Sequence, residues 1–63
     1  MLEFLVTGQG YEKNDKYKQT ILLHETFFTT TELEAQLAFQ QYFEPTHKVM
    51  RIYSAIDVTE NRA

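Results

Sequence analysis

Sixty-three residues with no cysteine, two histidines and a formal charge of −3 describe one small domain with no disulfide framework and no overall attraction to phosphate. No apolar run approaches the roughly 20 residues that cross a bilayer, and Met1-Leu2-Glu3 lacks the basic and apolar stretches of a leader, so a cytoplasmic location is expected. A domain this short buries only about 60% of the surface its unfolded chain exposes. With disulfides and metal nearly excluded, association with a second copy is the expected remedy for a marginal core.

Leu2, Phe4 and Val6 alternate with Glu3, Leu5 and Thr7, a period of two that predicts a first strand over about 2–10. Gly8 and Gly10 read as loosening its end, and Glu12-Lys13-Asn14-Asp15-Lys16 has the composition of a hairpin turn. The β-branched and aromatic residues of YKQTILLHETFF predict a second strand over about 17–26. Thr29-Thr30-Thr31 then precedes the helix formers ELEAQLAFQQYF, with Thr31 and Glu34 at capping-box spacing and Glu32 and Glu34 at the positive end of the helix dipole. Pro45 has no amide proton and biases Glu44 away from helical angles, so the helix spans about 32–43. Alternation returns over about 48–58, with Met50, Ile52, Ile56 and Val58 on one face and Val49, Arg51, Tyr53 and Asp57 on the other. Residues 59–63 read as a polar tail that frays.

These elements predict an α+β fold: a single ββαβ domain whose three-stranded, antiparallel-rich sheet has strand order 3-1-2, with the helix packed on one face. The uncovered sheet face, or an edge strand, is a surface for a partner or for the second copy of a homodimer.

The helix carries apolar residues on two sides. At 100° per residue, Ala35, Ala38, Phe39 and Tyr42 form the wider stripe and are assigned to the core. Leu33 and Leu37 fall on nearly the opposite side, beside Glu34, Gln36, Gln40 and Gln41. They form either an exposed binding patch or a second stripe of a deeply buried helix.

Little catalytic chemistry is available. His24 and His47 lie on separate elements without cysteine, so neither a metal site nor a cofactor is expected. Gly8-Gln9-Gly10 leads into a hairpin and not a helix, so it is no phosphate loop, and no Gly-x-Ser-x-Gly motif surrounds Ser54. No enzyme is expected from a domain with so little room for an enclosed pocket. Lys13, Lys16 and Lys18 with Tyr11 and Tyr17 could bind single-stranded nucleic acid, but Glu12 and Asp15 interrupt them. A solvated turn is the expected reading there. Glu25, Glu32, Glu34 and Glu44 could instead imitate phosphates toward a DNA-binding protein.

The segment KQTILLHETFFTTTELEAQL resembles the dimeric uracil-DNA glycosylase inhibitors of small protein-primed Bacillus phages, through Lys18-Gln19, His24, Thr31-Glu32-Leu33-Glu34 and Leu37. In that family two copies of the helix form a groove that grips a leucine of the enzyme's DNA-intercalating loop. The resemblance places those roles on Leu33, Leu37 and Glu34. The family's aromatic pair is replaced here by the two leucines, and its tyrosine-rich second strand by Ile21-Leu22-Leu23. LAFQQYFEPTHKVMRI is similar to a podoviral inhibitor of bacterial RNA polymerase, although Tyr53 stands where that inhibitor's second arginine would be. GYEKND is similar to the opening hairpin of the T-even phage antitoxin that neutralises a host RNase.

All three resemblances imply a phage-encoded inhibitor of one host protein. The expectation is therefore a non-enzymatic, homodimeric binder of uracil-DNA glycosylase acting by DNA mimicry, with RNA polymerase or a toxin nuclease as alternative targets and a single-stranded nucleic-acid module as the rival of another class. The expected partner-binding residues are Leu33, Glu34, Leu37, Glu32, Gln36 and Gln40. A membrane is not expected among its partners, and neither is nucleic acid.

Overall fold

A computed structural model of the chain describes residues 1–61. The strands β1 (Leu2–Glu12) and β2 (Ile21–Thr29) form a hairpin, α1 (Glu32–Phe43) follows, and β3 (His47–Asp57) returns to the sheet. Strand order is β2-β1-β3, antiparallel throughout, which is the 3-1-2 order read from the other edge. No helix among the described residues is long and apolar enough to cross a membrane.

Residues directly opposite in an antiparallel ladder share a face. Phe4, Val6, Gly8 and Gly10 of β1 therefore face α1 together with Phe27 and Leu23 of β2 and Ala55, Ile52 and Val49 of β3. Against them α1 sets Ala35 and Phe39, both fully buried. The Phe39 ring meets Phe27 and Phe43 edge-on, at centroid distances of 6.4 and 4.9 Å.

The β1–β3 ladder departs from the alternation expected of β3. Thr7 and Gly8 are consecutive but pair with Ser54 and Ile52, and Gln9 and Gly10 pair with Arg51 and Val49, so Tyr53 and Met50 are each an extra residue in β3. Two bulges change the side-chain parity twice. Val49, Ile52 and Ala55 consequently share the core face, whereas Met50 and Ile56 are exposed and Asp57 pairs with Phe4 on the helix side.

The bulges also account for the glycines, which stand inside β1 and not at a loosened end. A Cβ on Gly8 would lie 2.5 Å from the Arg51 carbonyl oxygen and 3.1 Å from the Phe39 ring, and one on Gly10 would lie 2.3 Å from the Lys48 carbonyl oxygen. The bulged strand presses its backbone against β1 at the two positions that have no side chain.

Three boundaries differ from the sequence expectation. Tyr17–Thr20 precede β2, because the Asp15 carboxylate accepts the amides of Tyr17 and Gln19 at 2.9 and 3.1 Å and Lys18 takes a left-handed φ of 53°. The strand instead continues to Thr29, where Leu2 is its ladder partner. Beyond β3, Thr59–Asn61 form a short 3₁₀ turn in place of the expected fraying tail. Thr59 Oγ1 accepts the Glu3 amide at 2.8 Å while its own amide donates to Asp57 at 2.9 Å, which ties the turn to β1. Arg62 and Ala63 of that expected tail lie outside the described residues.

Candidate functional site

The helix begins as its sequence requires. Thr31 is extended and its hydroxyl accepts the Glu34 amide at 3.2 Å. The Glu34 carboxylate accepts the Thr31 hydroxyl at 3.1 Å and also that of Thr30. The Thr30 hydroxyl foremost, and then that of Thr31, hold the Glu34 carboxyl below its ordinary range. The backbone amides of both threonines act in the same direction. Glu44 donates its amide to the Gln40 carbonyl at 2.9 Å, and Pro45 stops the ladder there.

With Ala35 and Phe39 against the sheet, Leu33 and Leu37 point outward and are 66% and 50% exposed. They stand four residues apart, one helical turn, so their side chains adjoin. Glu32 is exposed in the first turn, Gln36 is half-buried at the flank, and Gln40 is exposed toward the far end. The helix thus brings Leu33, Leu37 and Glu32 together with a tethered Glu34. Gln40 belongs instead to an open cleft of about 390 Å³ shared with Lys13, Glu44, His47, Lys48 and Val49. Tyr42, assigned by periodicity to the core stripe, is 57% exposed. Its ring only caps Phe27 and Phe43 edge-on at 5.8 and 5.0 Å, and Phe43 takes the inner position.

A second surface emerges only from the register. On the face away from α1, Leu5 lies between Thr26 and Ile56, Thr7 between His24 and Ser54, Gln9 between Leu22 and Arg51, and Tyr11 beside Lys48. The Tyr53 hydroxyl donates to Gln9 Oε1 at 2.8 Å, which brings that ring onto the same face. The Thr7 and Ser54 hydroxyls bond to each other at 2.9 Å, and His24 lies across Thr7 from Ser54, on the opposite flank of β1. His47 lies at the other edge, its ring edge-on to Phe43 at 5.5 Å and its Nδ1 2.7 Å from the Thr46 hydroxyl. Among the described residues no three His, Asp or Glu side chains gather where they could hold a metal ion.

Charge is divided along the 40 Å length of the molecule. Lys13, Lys16 and Lys18 occupy the β1–β2 loop, and Lys48 and Arg51 pair with Tyr11 and Gln9 beside it, so five of the six basic side chains share one end. Glu12, Asp15 and Glu44 are the acidic residues there, and the Asp15 carboxylate is occupied by two backbone amides. The opposite end carries Glu3, Glu32, Glu34, Asp57 and Glu60. No protein-family model, no curated protein and no solved structure matches the chain.

Proposed function

We propose that the chain is a protein-binding inhibitor of a DNA-acting enzyme, with uracil-DNA glycosylase the first target to test. The observation that carries this reading is the exposed Leu33–Leu37 pair on the helix face turned away from the core. It lies at the acidic end, where Glu32, Glu34, Glu3, Asp57 and Glu60 give the field that a basic DNA-binding cleft attracts. Burying the exposed part of two leucines contributes about 2–4 kcal/mol to a complex, the scale of an interface hot spot. Glu34 is held by the helix cap, so Glu32 is the freer carboxylate for an incoming cation.

A second copy of the chain completes the reading. β2 is the edge strand without a bulge or proline, whereas β3 is bulged twice, and bulges protect edges from pairing. A twofold through paired β2 edges makes one six-stranded sheet with both helices on the same side.

The direct test is uracil excision from single-stranded DNA by a bacterial glycosylase, with and without a molar excess of this protein. Inhibition that disappears in Leu33→Gln/Leu37→Gln, with an unchanged circular dichroism spectrum, is the expected result. Undiminished excision at large excess removes this target.

A further inference from the structure

The face that α1 leaves uncovered is apolar at one end and cationic at the other, and the two ends do not ask for the same partner. At the loop end, the two successive ladder pairs on this face put Tyr11 beside Lys48 and Gln9 beside Arg51, and the Tyr53 hydroxyl is anchored on Gln9. Two cations and two tyrosine rings thereby share a short span of one sheet face. The adjoining loop adds Lys13, Lys16 and Lys18, with Tyr17 80% exposed and the Lys16 ammonium 5.1 Å from its ring centre. The loop sequence alone favours a solvated turn, because Glu12 and Asp15 interrupt the lysines. The fold alters that balance by turning the Asp15 carboxylate onto backbone amides and by bringing Lys48, Arg51 and Tyr53 alongside from β3.

We infer that this end of the sheet is a binding surface for single-stranded nucleic acid. Lys48, Arg51 and the loop lysines would neutralise phosphates, while Tyr53, Tyr11 and Tyr17 offer ring faces on which unpaired bases stack. A π-face is common to every base, so the surface is indifferent to sequence. The cations without the rings would serve any polyanion, including an acidic protein. Tyrosines interleaved with cations on an open sheet favour nucleic acid, and a duplex, whose bases are stacked inside, gains nothing from them. The surface shares no residue with the Leu33–Leu37 face, so each can fail without the other.

The test is fluorescence anisotropy of a labelled oligothymidylate of about 12 nucleotides, within the site sizes such surfaces cover. Affinity should fall with salt at a logarithmic slope of roughly −2 to −3.5, the value for three to five phosphates released from a single strand. Arg51→Gln should lower that slope by about 0.7. Tyr53→Ala should weaken binding about tenfold or more by removing a stacking ring, while Tyr53→Phe, which keeps the ring, should bind like the parent. Leu33→Gln/Leu37→Gln should also bind like the parent. No binding at low salt overturns the inference. So does equal binding of polyglutamate of matched charge, which would give the surface to acidic proteins. Tyr53→Ala binding as tightly as the parent, with its circular dichroism unchanged, overturns it too.

Discussion

Gly10→Ala adds one methyl group at the closer of the two backbone approaches over the β1 glycines. The new Cβ would stand 2.3 Å from the Lys48 carbonyl oxygen and 3.0 Å from Leu23 Cδ1, where ordinary contacts begin near 3.4 Å. The leucine can turn aside, but the carbonyl belongs to the bulged β3 backbone and moves only with its ladder. Such overpacking costs about 1–3 kcal/mol. The gain from a less flexible unfolded chain, about 0.4–1 kcal/mol for Gly→Ala, offsets a part. The net loss is about 1–2 kcal/mol, a large share of the roughly 3–9 kcal/mol expected for a chain of this length. At about 4–8 °C per kcal/mol, the melting temperature should fall by roughly 5–15 °C. Thermal unfolding followed by circular dichroism measures this, at one fixed protein concentration because association shifts the midpoint. A melting temperature equal to or above that of the parent would refute the account of the bulge, since alanine would then fit where β3 is said to press.

Thr31→Ala should cost about 0.5–2 kcal/mol by removing the acceptor for the Glu34 amide, read from denaturant unfolding. The Thr30 and Thr31 hydroxyls hold Glu34 below its ordinary range, and the Thr59 hydroxyl, followed by its amide, does the same for Asp57. Both carboxyls therefore contribute stability that is complete above about pH 4–5 and is lost as pH falls through their lowered folded values. Acid titration of the melting temperature should show a shallower decline in Thr30→Val and Thr59→Val than in the parent, and a carbon-detected NMR titration should find the Glu34 carboxyl nearer its ordinary range in Thr30→Val. Sedimentation at micromolar concentration should show a dimer that Thr26→Pro, on the β2 edge, converts to monomer; a parent that sediments only at 7.5 kDa would end the edge-pairing proposal.

Element order and the helix were legible because each rests on local chemistry, namely alternation in β1, the Thr31–Glu34 cap and the Pro45 stop, and strand order followed from the right-handed crossover through α1. Helical geometry placed Leu33 and Leu37 opposite the core stripe but left them either outward or in a second buried stripe; their exposure in the fold decides for the first. The faces of β3 were not legible in the same way. Strict alternation puts Ile56 with Ile52, and the bulge at Tyr53 separates them; it likewise keeps Val49 with Arg51, and the bulge at Met50 separates those. Bulges depend on how two strands meet, which one strand's pattern does not record. Gly8 and Gly10 were the available signal, because a glycine inside a strand pattern can mark a bulge or a close backbone approach as well as an end. The start of β2 was hidden by the side chain of Asp15, whose bonds to the Tyr17 and Gln19 amides outweigh the strand preference of Tyr17.

Net charge is a coarse measure for a related reason. A total of −3 argues against nucleic acid only if the whole surface acts as one field. At physiological ionic strength the Debye length is about 8 Å, whereas the charges lie at opposite ends of a molecule 40 Å long. Each end is therefore felt through its own residues. A phosphate chain approaching Lys48 and Arg51 is screened from Glu32 and Glu60, and a basic cleft approaching Glu32 is screened from the loop lysines. If this holds, added salt should weaken oligonucleotide binding and target inhibition separately, and reversing charge at one end should leave the other activity unchanged. Glu32→Lys should impair inhibition while oligothymidylate affinity stays within about twofold, since at several Debye lengths the changed charge is screened to a small fraction of its bare effect. A comparable loss in both assays would mean that the ends are coupled, through the dimer or through the fold, and that the two surfaces form one site.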